Sequence, residues 1–279
     1  MKKAGIILAA ILVIVTAGYL FLRFYVLKAK DFKPDQAKAK SVIDLRPALI
    51  AKLQQMVKDG SKGLYKLSVQ DIEPDIAGAS VDLNNVTFVT DSAILHRLDS
   101  MHLAPDDVFA ISFKKLHIEG LGIGELISTK SINLDKITIS YPVVTVYRKE
   151  RQYNAAKRVQ KDSLTLYQRL AGHVKNITVT SVFVDHGVVN TKNLLQKNKD
   201  ATLERISIHM NDLRMDSTTQ YDTHRFFFAQ TAHISCGRLQ KRSADSLYFI
   251  KVDSLAIEAS THTMTAFNLA YSPRFSKRD

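Results

Sequence analysis

The stretch "GLYKLSVQDIEPDIAGASVDLNNVTF" (residues 63–88) is echoed 183 positions later, without a gap, by "SLYFIKVDSLAIEASTHTMTAFNLAY" (residues 246–271). Four positions are identical, among them Tyr65 and Asn85, and apolar residues mostly fall on apolar residues. Because strand side chains alternate between two faces, a match without gaps keeps every side chain on its face. We therefore predict two antiparallel hairpins with one shared pairing register.

The echo has two explanations. The second hairpin is either a terminal cap that closes the sheet or the front of a further repeat. A cap should present a polar or covered edge, whereas "MTAFNLAY" (residues 264–271) is apolar, which favours the repeat.

A shorter phrase recurs along the chain: apolar, polar, polar, apolar, small or polar, apolar. It occurs as "LNNVTF" (83–88), "FKKLHI" (113–118), "LDKITI" (134–139), "VKNITV" (174–179), "LERISI" (203–208) and "VDSLAI" (252–257). The last two apolar residues alternate and share one strand face, while the first has the opposite parity, which fits a strand entry or a β-bulge. The pattern predicts a mainly β fold with an extended, curved antiparallel sheet.

The alternating pairs are our candidates for an apolar trough on that sheet. A sheet with one apolar face must cover it with helices, a second sheet or a ligand. The candidate lining residues are Val86, Phe88, Leu116, Ile118, Ile137, Ile139, Ile177, Val179, Ile206, Ile208, Leu255 and Ile257. The alternative is that these pairs form an ordinary closed core.

Only a few short helices are expected. Pro47 suits a first helical turn, apolar residues follow at helical spacing, and Gly60 or Gly63 ends the helix. Further short helices are predicted at "DSAILHRLDS" (91–100) and around "KDSLTLYQRLAGH" (161–173).

The first residues contain a long apolar run. Ala4 to Leu22 carries no charge, and its 19 residues would span about 28 Å as a helix, close to the thickness of a hydrocarbon core. Apolar residues continue beyond it, which favours an uncleaved membrane anchor over a cleaved signal peptide. The flanking basic residues are Lys2, Lys3, Arg23, Lys28 and Lys30.

Charge also argues against nucleic acid as a partner. The formal net charge is +12, and half of it lies in the first 40 residues, which flank the apolar run. A nucleic-acid binder usually carries its basic patch on the folded domain, whereas this clustering favours an anionic membrane surface. Counting charges on the two sides of the run leaves its orientation open.

No motif for catalysis or for a cofactor emerges. The lone Cys236 excludes an intrachain disulfide, and "GLGIGEL" (120–126) lacks the third glycine of a dinucleotide loop. The nine histidines stand alone, and no G-x-S-x-G elbow occurs. We expect no catalytic, cofactor-binding or metal-binding residues and no enzyme activity. Groups that converge in space from distant positions, as in a membrane-tethered hydrolase, remain the alternative.

The anchor, the short helix and the strands "GLYKLSV…DLNNVTFVTD", "LHIEGLGIGELISTKSINLDKITISYPVVTVYR" and "VKNITVTSVFVDHGVV" together resemble the AsmA-like proteins of bacterial envelopes, most of all their divergent Bacteroidetes-type members. The resemblance implies one inner-membrane helix, a β-rich body in the periplasm, and kinship with bridge-like lipid-transfer proteins, whose apolar groove carries acyl chains. It brings no catalytic residues.

The sequence thus divides into an anchor (1–30), a connector with an amphipathic helix (31–60), a β-rich periplasmic domain (61–242) and the start of a second β-unit or a terminal hairpin (243–279). The expected function is lipid transport or envelope biogenesis, with membrane lipids as partners. The alternative is a structural or partner-binding envelope protein with a closed core, which recruits another chain at a sheet edge.

Overall fold

In this computed structural model the residues described are 46–75, 77–120, 131–155, 167–168, 176–196, 200–242 and 247–273. The predicted anchor and its flanking basic residues lie outside them. Within the described ranges no helix is long and apolar enough to cross a membrane.

Two α-helices are formed where the sequence predicts them. Helix α1 spans Arg46–Gly60 and α2 spans Ser92–Ser100. Asp91 caps α2, because its carboxylate accepts hydrogen bonds from the backbone N–H groups of Ala93 and Ile94 at 2.9 and 3.2 Å. The third predicted helix lies mostly outside the described residues, although Tyr167 and Gln168 are helical.

The rest of the described chain is mainly β. The strands are β1 (Tyr65–Asp75), β2 (Ser80–Thr90), β3 (Asp107–Glu119), β4 (Ser131–Ser140), β5 (Val143–Arg148), β6 (Asn176–Asn193), β7 (Ala201–Met215), β8 (Ala229–Cys236), β9 (Leu239–Arg242), β10 (Tyr248–Val252), β11 (Ser254–Glu258), β12 (Thr263–Phe267) and β13 (Ala270–Pro273). Short 3₁₀ turns lie at Gln152–Asn154 and Thr219–Tyr221.

Ten strands form one extended sheet in the order β1-β2-β3-β4-β6-β7-β8-β11-β12, with β5 between β3 and β6; β13-β10-β9 form a three-stranded sheet. Four pairs of strands are single rows with a short interruption: β4–β5, β8–β9, β10–β11 and β12–β13. Their pairing register is the same on both sides of the interruption. The strands therefore make nine consecutive rows.

The expectation of an antiparallel sheet is wrong at one place. The row β4–β5 runs parallel to β6, with Ser131 opposite Asn176 and Val143 opposite Val188. The chain between β5 and β6 extends from residue 149 to residue 175, which is long enough to cross back and start β6 at the same end as β4. The sheet is therefore mixed.

The two hairpins that are echoed in the sequence share one register. Tyr65 pairs with Thr90 in the first hairpin, and Tyr248 pairs with Pro273 in the second, 183 positions later. At the turn end, Asp75 opposite Ser80 corresponds to Glu258 opposite Thr263. The predicted pairing is confirmed for both hairpins.

Details of side chains repeat as well. Tyr65 stacks on Phe88 with ring centroids 4.5 Å apart, and Tyr248 stacks on Tyr271 at the same distance. The turn residues Ala79 and His262 both have a left-handed backbone, with φ of 48° and 54°.

Candidate functional site

Most of the buried apolar residues of the strands lie on one face of the sheet, which we call the inner face. Of the twelve residues expected on it, eight are buried and four are half-buried. The half-buried ones are Phe88, Ile208, Leu255 and Ile257. Most of the buried ones belong to one continuous apolar cluster that runs from β1 to β8. The structure therefore brings the predicted residues together.

Bends within the strands keep the apolar side chains on the inner face along the whole strand. In a straight strand, residues three apart face opposite sides, yet Leu83 and Val86 in β2 are both buried in the same cluster. Two consecutive outward side chains, Asn84 and Asn85, stand between them. The backbone turns there, and the strand continues with its apolar side still inward.

These turns line up across the sheet. The first bend line passes in register through Gln70, Asn85, Lys114, Tyr141 and His186, is displaced from that register at Arg205 in β7, and passes on through Arg238, Asp253 and Asn268. A second bend line passes through Gly120, Asp135, Thr180, Asp212 and Gln230. The same switch of apolar parity occurs at the second line, for example between Leu134 and Ile137.

Left-handed residues mark many of these crossings. Positive φ angles occur at Asn85, Tyr141, His186, Arg205 and Asn268 on the first line and at Gly120 and Asp212 on the second. In β2 the pairing register is unchanged across Asn85, so the residue turns the strand without adding length to it. A register shift occurs where β6 passes β7, around Gly187. The recurring phrase therefore mostly marks a bend within a strand, and among the described strand pairs the register shift lies between β6 and β7.

Outer-face side chains interact along the first bend line. The Asn85 amide donates to Gln70 Oε1 at 2.6 Å, and the Asn268 amide donates to Asp253 Oδ2 at 3.0 Å, again 183 positions apart. Between them, Tyr141 stacks on the His186 ring with centroids 4.8 Å apart.

Little of the described chain covers the inner face. Leu53 of α1 is buried in the apolar cluster, and Ile50 and Val57 pack against it. Tyr167 and the Phe226–Phe228 segment also pack against it. Helix α2 contributes no buried residue.

The exposure of the inner face changes along the sheet. Val81 and Val86 in the first hairpin are 2% and 1% exposed, whereas their counterparts in the second hairpin, Met264 and Leu269, are 69% and 66% exposed. The half-buried Ile257 lies between these extremes. The apolar face is therefore closed over its first rows and accessible at its last.

A cavity of about 310 Å³ opens at this accessible end. Its apolar lining includes Phe226, Ile257 and Met264, and its rim includes Arg225 and Glu258. Its size is at the lower end for a small-molecule site.

The outer face carries ion pairs. His117 lies between Asp82 and Glu119, with its ring nitrogens 2.5 and 2.8 Å from their carboxylate oxygens. Hydrogen bonds from His117 and then Lys136 hold the pKa of Glu119 below its ordinary value. Lys115 also pairs with Asp82 at 2.9 Å. These partly exposed side chains form an ion-pair network on the outer face.

A second polar cluster fastens α2 to the chain that follows β5. Asp99 accepts hydrogen bonds from Arg151 Nε at 2.8 Å, Tyr153 Oη at 2.6 Å and Lys149 Nζ at 2.9 Å. These bonds, the one from Arg151 first, hold the pKa of Asp99 well below its usual range. Arg151 is buried, so its guanidinium needs acceptors, which are the Asp99 carboxylate and the carbonyl oxygens of Pro105 and Lys149.

The described residues offer no obvious reaction centre. No three of their His, Cys, Asp and Glu side chains converge as metal ligands. Burial raises the pKa of the Cys236 thiol, which makes it a poor nucleophile at neutral pH. The expectation of no enzyme activity stays a prediction.

The sequence could have revealed the bend lines. In five of the six phrases the two consecutive polar residues fall at a bend: four lie on the first line, and the phrase at 134–139 lies on the second. The three-residue spacing between the first two apolar residues of the phrase predicts a strand entry or a bulge, because periodicity alone does not report a positive φ. Asn at positions 85 and 268 was the available clue, since Asn tolerates left-handed backbone.

Comparison with known proteins does not identify a family for the chain. No family model and no curated protein sequence matches the chain.

Proposed function

We propose that this is an AsmA-like envelope protein, anchored in the inner membrane by residues 1–30, that holds lipid acyl chains on the inner face of its sheet and takes part in lipid transport or envelope biogenesis. One observation supports the proposal most: a continuous apolar cluster runs from β1 to β8, and the same face becomes accessible at β11–β13, beside a cavity of about 310 Å³.

The two bend lines support a trough. We infer that the rows turn toward the same side at each line, because their buried apolar residues stay on one face across it, and that the sheet therefore curves around an axis across the strands. The apolar residues then line the concave side, and an acyl chain lying along the trough would gain about 0.8 kcal/mol for each buried methylene group.

A closed core is the second candidate. Eight of the twelve lining residues are buried. This favours a core in which the two sides of the curved sheet pack against each other and fill the space between them with their own side chains. In that case the protein is a structural or partner-binding member of the envelope, and only its end rows offer apolar surface.

A matched pair of variants separates the two candidates. Ile257→Glu places a charge on the accessible inner face, and Ala256→Glu places the same charge one residue away on the outer face. The full chain is purified in detergent, and its lipids are extracted and quantified by mass spectrometry. We expect Ile257→Glu to retain fewer lipids than the wild type, by about one molecule per chain or more. An unpaired carboxylate on the inner face would exclude an acyl chain from it.

Ala256→Glu should retain the same lipid as the wild type. Lipids held by the membrane anchor are common to all three proteins and cancel in the comparison. Equal lipid content in all three would favour the closed core.

The proposed orientation places everything after about residue 30 outside the cytoplasm. Alkaline phosphatase folds into an active enzyme only where disulfides can form. A fusion after residue 60 should therefore be active, and an inactive fusion with a cytoplasmic reporter active at the same point would contradict the orientation.

A further inference from the structure

The last row of the sheet, β12–β13, is the counterpart of β2 in the first hairpin, and β2 has a further strand paired to its other edge. The row β12–β13 corresponds to β2 at the 183-residue offset, with matching registers toward its hairpin partner. On its other side β2 pairs with β3, where Val81 lies opposite Ile118 and Val86 opposite Phe113. In the described part of the chain, no strand pairs with the corresponding side of β12–β13.

The inner-face side chains of this row are exposed where no described strand lies beside them. The inner-face residues of β12–β13 are Met264, Ala266, Leu269 and Tyr271, and each is exposed. Their counterparts in β2 are buried, apart from the half-buried Phe88. An unpaired, apolar edge of this kind is a template for strand addition.

We propose that the edge formed by residues 263–273 binds an extended polypeptide segment, supplied by a partner protein, as an antiparallel strand with the side-chain pattern of β3. The inference rests on the repeated hairpin and is independent of the proposed lipid binding. The β3 pattern is apolar at Ile111, Phe113, Leu116 and Ile118, with the two lysines Lys114 and Lys115 outward at the bend.

The register of the added strand follows from the first hairpin. The residue equivalent to Ile118 should lie opposite Met264, and the residue equivalent to Phe113 should lie opposite Leu269. The outward lysines would then meet the bend line at Asn268, as Lys114 meets it at Asn85.

A peptide with the sequence of residues 105–119 is a direct probe. It is synthesised with a photoreactive benzophenone in place of Phe113 or of Ile118, mixed with the purified full-length protein and irradiated. We expect cross-links at Leu269 from the first peptide and at Met264 from the second. A control peptide in which residues 111–113 are rearranged to put the serine on the apolar parity should label at least about tenfold less, because it loses one inner-face side chain and moves an apolar side chain to the outer face.

The protein offers its own matched control. Leu269→Lys charges the inner side of the edge and should weaken peptide binding about tenfold or more, whereas Ala270→Lys charges the outer side and should leave binding unchanged. Both residues are exposed, and circular dichroism confirms that each variant is folded.

Three outcomes would overturn the proposal: no cross-linking, cross-links elsewhere on the protein, or equal binding by the two variants. Self-association of the protein that Leu269→Lys abolishes would also overturn it, because the edge would then belong to a second copy of the chain. Loss of lipid in Ile257→Glu has no bearing on these results, so failure of one proposal is distinguishable from failure of the other.

Discussion

Single residues with left-handed backbone let this sheet keep one apolar face. Asn85 has a φ of 46° and Asn268 a φ of 51°, and each amide side chain reaches the neighbouring row. Left-handed backbone costs about 1–2 kcal/mol for most residues, less for Asn and nothing for Gly. The identity of Asn at both positions therefore has a conformational reason.

This reasoning predicts an ordering of variants at position 85. Asn85→Ala should lower the free energy of unfolding by about 1–2 kcal/mol, because it adds left-handed strain and removes the bond to Gln70. Asn85→Gly loses the same bond without the strain and should cost less. Urea denaturation followed by circular dichroism measures both.

Thr87→Ala serves as the control at position 85, since Thr87 is an exposed outer-face residue of the same strand. It should change the free energy of unfolding by less than about 1 kcal/mol. If Asn85→Gly proves as destabilising as Asn85→Ala, left-handed backbone strain does not contribute to the loss of stability at this position.

At the scale of elements, the hairpin is the unit that the sequence predicted best. The match without gaps between residues 63–88 and 246–271 predicted one pairing register, and both hairpins have it. Helices α1 and α2 were also predictable, because their apolar spacing and the cap at Asp91 are local signals. Local patterns succeed where contacts lie close along the chain.

Pairing between distant strands was harder to predict. The parallel contact of β4–β5 with β6 depends on how the connection from 149 to 175 runs, and strand alternation is identical for parallel and antiparallel neighbours. The length of the connection was the one available signal. The polar clusters around Asp99 and His117 were equally hidden, since their members come from separate elements.

At the scale of the whole molecule, the sheet combines a buried apolar face with an accessible end. The candidate inner-face residues could be predicted from the alternation of apolar residues along each strand. Of the twelve, eight are buried and four are half-buried. How far the face is closed was not predictable, since that depends on curvature set by the bend lines. Val86 is 1% exposed and Leu269 66%, so the proposed acyl chain would enter at β11–β13.

The most direct test of the central claim is a map of where an acyl chain contacts the full-length protein. A fatty acid with a diazirine at the end of its chain is bound to the purified protein, activated by light, and located by peptide mass spectrometry. The account predicts labelling of inner-face residues such as Ile208, Leu255 and Ile257, with Ser207 and Ala256 on the outer face unlabelled. Labelling of the outer face, or labelling confined to the apolar run of residues 4–22, would contradict it.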